Sequence, residues 1–111
     1  MLNNYLAGNY KFKSARGGYS RLFDISCRAC GSHVLVYQKD GPGVLLRLYL
    51  DRIFSPESVI DLQFNELKDI PDLRCATCMK TLAVPTIYEK EQRKAFRLFG
   101  DAITKKLKKV A

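Results

Sequence analysis

The sequence predicts a mainly β fold of the β-rich α+β kind: antiparallel hairpins in two pseudo-repeated units, joined by a four-cysteine site, with a short C-terminal helix. Three observations predict it. The four cysteines form two C-x-x-C pairs, Cys27 with Cys30 and Cys75 with Cys78. Short apolar runs rich in β-branched and aromatic residues are separated by Gly-, Pro- and Asp-containing turns. Both halves also run in one order, cysteine pair, apolar strand, turn, apolar strand.

The opening residues are polar until Tyr10-Lys11-Phe12-Lys13, a short alternating run that suits a strand, and Arg16-Gly17-Gly18 reads as a turn. Alternation from Tyr19 through Phe23 and Ile25 predicts a strand that runs into Cys27. Val34-Leu35-Val36-Tyr37 predicts the next strand, Asp40-Gly41-Pro42-Gly43 a loop, and residues 44–50 the returning arm of a hairpin. Ser55-Pro56-Glu57 resembles a helix start, yet residues 60–65 alternate strictly, so a short strand is expected there. Residues 69–72 link into the second cysteine pair. Leu82-Ala83-Val84 and Thr86-Ile87-Tyr88 flank Pro85, which fits an edge strand or a bulge.

Matching the halves gives identical residues at Tyr37/Tyr88, Lys39/Lys90, Arg47/Arg97, Leu48/Leu98, Asp51/Asp101 and Ile53/Ile103. This predicts one domain over residues 1–111, with units at 19–54 and 73–104 and an acidic connector at 55–72. It also decides the end of the chain. Phe96, Phe99, Ile103, Leu107 and Val110 would share one face of a long helix, but the repeat makes 95–99 the second arm of a hairpin turning at 91–94. Gly100 then precedes a short helix with Asp101 near its start and lysines towards its end.

The cysteines are the chemically loaded residues. In a reducing compartment two C-x-x-C pairs read as ligands of one tetrahedral zinc ion rather than as disulfides. Four thiolates leave no open position for a reactive water, so Cys27, Cys30, Cys75 and Cys78 point to structural zinc. His33, three residues past Cys30, reads as a spectator. Gly31 lets the backbone curl so that amides approach the sulfurs. Cys27 to Gly31, a hairpin and a second C-x-x-C together resemble the zinc-ribbon family. The resemblance implies two tight turns facing each other at the end of a small antiparallel sheet. Membership of the broader class also implies nucleic-acid or protein contacts in the transcription and translation machinery, or a purely structural role. In this chain 44 residues separate Cys30 from Cys75, and Met79 stands where a glycine is more usual.

The net charge is +8, and it is unevenly spread: +5 over residues 1–50, −4 over 51–72 and +7 over 73–111. Zinc on four thiolates would lower the total to about +6. Two basic portions suit a polyanion. The candidate contacts are Tyr37, Lys39, Arg47, Tyr49, Lys90 and Arg97, where rings beside cations suit stacked bases and phosphates, and the terminal Lys105, Lys106, Lys108 and Lys109. Two readings of the Tyr/Arg face stay open, an exposed surface and the seam between the two units. The need to bury area between them favours the seam. The terminal lysines read first as a solvated helix end. Lys11, Lys13, Arg16 and Arg21 would extend them into one basic surface.

No carboxylate pair, nucleophile–base motif or phosphate loop supports an enzyme, and nothing resembles a helix that reads the major groove. No basic stretch and apolar run opens the chain, and no segment approaches the roughly 18 apolar residues of a membrane span, so a cytoplasmic location is expected. The expectation is a non-enzymatic zinc protein that binds nucleic acid, RNA or a ribonucleoprotein more than a specific DNA site. No membrane or small-molecule substrate is expected. The alternative is an adaptor that docks on a protein through its acidic connector or aromatic face.

Overall fold

A computed structural model describes residues 20–41 and 43–108, and within them the chain forms two four-stranded antiparallel sheets. The first half supplies β1 (Ser20–Cys27), β2 (His33–Asp40), β3 (Arg47–Tyr49) and β4 (Ile53–Ser55). The second supplies β5 (Leu73–Arg74), β6 (Thr81–Tyr88), β7 (Arg93–Leu98) and β8 (Ile103–Leu107). The sheets are ordered β4-β2-β1-β8 and β3-β7-β6-β5. Each half therefore lends one strand to the other half's sheet.

The core lies between the sheets. Ile25, Leu35 and Tyr37 from the first meet Leu48, Leu82 and Phe96 from the second, and the buried Cys27 and Cys75 belong to the same cluster. On β2 the period-two pattern separates two sets: Leu35 and Tyr37 join this core, while Val36 packs with Leu22 and Phe54 in a smaller cluster. Both faces of β2 are thus covered.

The mainly β expectation holds, and β1, β2 and the β6–β7 hairpin lie where the alternating runs place them. Pro85 sits opposite Phe96 beyond the short β5, so no strand on its other side needs the missing amide. Three expectations are corrected. Residues 44–50 do not return along β2, because β1 and β4 already occupy the two edges of that strand. Only Arg47–Tyr49 is strand, and it pairs with β7 instead, leaving Val44 and Leu46 exposed.

The strand expected at 60–65 is replaced by 3-10 turns at Glu57–Val59, Leu62–Phe64 and Leu67–Asp69. The three-residue spacings from Val59 to Leu62 and from Leu67 to Ile70 seat apolar side chains on the core once per turn. The C-terminal helix is absent too: Ile103–Leu107 is β8, with Cys27 opposite Ile103 and Phe23 opposite Leu107. The open edge of β1 offers ladder partners that a short lysine-rich helix cannot match, and tertiary pairing overrides local preference. The Tyr10–Lys13 strand and Lys109 lie outside the described residues.

Candidate metal centre and basic face

The two C-x-x-C segments close the β1–β2 and β5–β6 hairpins, and the two corners are built alike. Cys27 N donates to Ser32 O at 2.8 Å and Gly31 N to Cys27 O at 2.7 Å. In the other corner Cys75 N donates to Lys80 O at 2.9 Å and Met79 N to Cys75 O at 2.8 Å. A register shift precedes each corner, between Ile25 and Ser26 and between Leu73 and Arg74. The register that superposes these hairpins sets Asp40 against Tyr88, whereas the sequence match set Tyr37 there.

The four sulfurs lie within 4.8 Å of one another, with Cys27 Sγ 3.7 Å from Cys78 Sγ and Cys30 Sγ 3.5 Å from Cys75 Sγ. A tetrahedral ion with sulfur at about 2.3 Å separates its ligands by about 3.8 Å, so the donor set fits a single metal ion. All four are free thiols, the first of each pair buried and the second exposed. The Ser32 hydroxyl and amide, with Cys75, bring the Cys30 thiol down to about 6. The Cys78 amide likewise lowers Cys75. Although the Lys80 amide pulls the other way, loss of water and the neighbouring Cys27, Cys75 and Cys30 sulfurs lift Cys78 to about 11. Four thiols this close resist ionising together unless a cation joins them. His33 is a bystander, its Nε2 lying 2.9 Å from Asp24 Oδ1.

The structure divides the predicted Tyr/Arg set. Tyr37 and Lys39 are buried: the Tyr37 hydroxyl accepts from Tyr49 N at 2.9 Å, and Lys39 Nζ donates to Gly41 O at 2.7 Å. Neither side chain therefore stands on the outer face, although both border the cavity between β2 and β3. Arg47, Tyr49, Tyr88 and Arg97 share the outer face of the second sheet, because Arg47 lies opposite Arg97, Tyr49 opposite Ala95 and Tyr88 opposite Arg93. Sequence reasoning placed Arg93 in the turn and passed over it. Its guanidinium lies 3.7 Å from the Tyr49 ring centroid, as that of Arg47 lies 3.9 Å from the Tyr88 ring. A hairpin turning two residues earlier, at 89–92, would have revealed the Tyr88–Arg93 pair.

Lys90 is exposed at the hairpin tip. Lys105 and Lys106 are exposed on β8, Lys105 with its ammonium 4.9 Å from the Phe23 ring centre, and Lys108 lies 3.7 Å from Asp24. No family model, curated protein or solved structure matches this chain.

Proposed function

We propose that the protein is non-enzymatic, that Cys27, Cys30, Cys75 and Cys78 hold one structural zinc ion, and that its basic surface binds nucleic acid in the cytoplasm. The observation that carries the zinc reading is the clustering of four sulfurs at spacings suited to one tetrahedral ion. The nucleic-acid reading rests on the net charge of +8 and on the arginines mounted on Tyr49 and Tyr88. RNA or a ribonucleoprotein suits this surface better than a specific DNA site, since the described elements include no helix long enough to enter a major groove.

Native mass spectrometry in reducing buffer tests the metal, one zinc per chain being expected. Titration of RNA at two salt concentrations tests the partner: phosphate contacts require affinity to fall steeply with salt, and replacing Lys105, Lys106, Lys108 and Lys109 by alanine flattens the slope. A specific observation favours a second reading, a protein adaptor: Phe64 is 79% exposed within the acidic segment that holds Asp61 and Glu66. Docking through an apolar face such as that of Phe64 predicts a weak salt dependence for the chain's principal partner.

A further inference from the structure

Lys39 is unusual for a lysine, only 8% exposed, and its sole hydrogen bond among the described residues goes to Gly41 O. Its ammonium, at the end of a largely buried side chain and with one donor used, gains from any acceptor that reaches it. Loss of water and the nearby Lys105 charge accordingly hold it below the ordinary lysine range. Arg47 is in a related position. Its guanidinium lies over the Tyr88 ring, and among the described residues it donates no hydrogen bond. The two side chains line one cavity of about 190 Å³ between β2 and β3, with Tyr49, Tyr88 and Arg93 completing the wall.

Two carboxylates reach the same cavity, but both are engaged. Asp40 accepts from Arg52 at 2.8 Å and from Gln38 at 2.6 Å, and Glu91 from Arg93 at 3.1 Å. Of the cationic groups at the cavity, Lys39 and Arg47 keep unspent donors among the described residues. The rings have a different role from the one expected of base-stacking aromatics, since Tyr49 and Tyr88 each carry an arginine on one face. They act as platforms that hold cations in place.

We propose that this cavity receives one phosphate group of the nucleic-acid backbone, with Lys39 and Arg47 as its donors and Tyr88 as the support that fixes Arg47. The proposal rests on the nucleic-acid reading above and sharpens it: recognition at this site is of phosphate and is indifferent to the base. Arg47 supplies a planar fork and Lys39 a point charge, a pairing suited to a tetrahedral oxyanion.

The test begins with the zinc-loaded protein and inorganic phosphate, followed by NMR at the backbone amides of residues 39, 47 and 88, which every variant retains, with chloride at equal ionic strength as control. A saturable shift with phosphate alone is expected. Lys39→Met and Arg47→Met should each weaken it about tenfold or more, and Arg47→Lys less, with zinc content and melting temperature showing that each variant is folded. Shifts that chloride reproduces, or that folded Lys39→Met and Arg47→Met leave unchanged, overturn the site. A second arm compares a uridine oligomer with an abasic ribose-phosphate oligomer of equal length. Affinities within about threefold support phosphate recognition, and a much weaker abasic oligomer overturns it while preserving the nucleic-acid reading. Saturable phosphate binding with no RNA binding supports the pocket and overturns that reading.

Discussion

Gly31 and Met79 occupy the same corner of their respective turns: both have positive φ, 80° and 67°, and both donate their amides to the carbonyl of the first cysteine. Glycine bears this conformation freely, whereas methionine crowds its Cβ against the backbone. Met79 is 59% exposed, so little packing depends on its side chain. Met79→Gly should therefore stabilise the zinc-loaded protein by about 1 kcal/mol, and Gly31→Ala should destabilise it by a similar amount even though open space surrounds the added methyl. Denaturant unfolding at fixed zinc measures both.

The sulfur cluster joins the sheets, since its cysteines arise from the β1–β2 turn of one and the β5–β6 turn of the other. Chelating the metal, or replacing any one cysteine by serine, should cost more than about 3 kcal/mol and loosen both sheets together. Hydrogen exchange that opened only one sheet would contradict this. Zinc uptake should also release protons, because Cys78, lifted to about 11, still carries its proton at neutral pH in the absence of metal. Affinity then falls as pH falls. Calorimetry in two buffers of different ionisation enthalpy counts the protons released.

Burial raises the Tyr37 hydroxyl well above the ordinary tyrosine range, although the Tyr49 amide that it accepts from pulls the other way. Its neutral form is the one the fold favours. The associated stability is complete below the unfolded value of about 10 and is lost as pH rises beyond it towards the folded value. Tyr37→Phe should remove this alkaline sensitivity while costing about 1–3 kcal/mol at neutral pH, because the Tyr49 amide is orphaned. Melting curves between neutral and strongly alkaline pH separate the two effects.

Lys94 crosses from β7 to the acidic connector, donating to the carbonyls of Gln63 and Asn65. Lys94→Met should cost about 1 kcal/mol and speed amide exchange around residues 62–70 more than in β6 or β7. Uniform acceleration along the chain would refute a local pinning role.

What could be read from the sequence depended on the reach of each interaction. The cysteine cluster was legible because thiol chemistry and C-x-x-C spacing are local, and the β6–β7 hairpin because its arms are neighbours. Residues 103–107 were not, since isoleucine, threonine and leucine between lysines suit a frayed helix or a strand until β1 is known to lie beside them. The connector misled for a related reason: its strict alternation imitates a strand, while its anchoring apolar residues follow the three-residue step of 3-10 turns. Tyr37 and Tyr88 matched as letters in a repeat yet differ in place, one buried in the core and the other beneath an arginine on an outer face. Burial depends on what covers a strand, and the covering elements come from the opposite half of the chain.

The lending of β3 and β8 between halves has a consequence for biosynthesis. Cys27 at the end of β1 has Ile103 as its partner, so the first sheet waits for residues 103–107 to be made before that edge can close. Until then the nascent chain carries that open strand edge, and until residue 78 is made it carries two unmatched thiols. β8 thus docks on an edge that has stood open since β1 was made, and the thiols of Cys27 and Cys30 wait for those of Cys75 and Cys78.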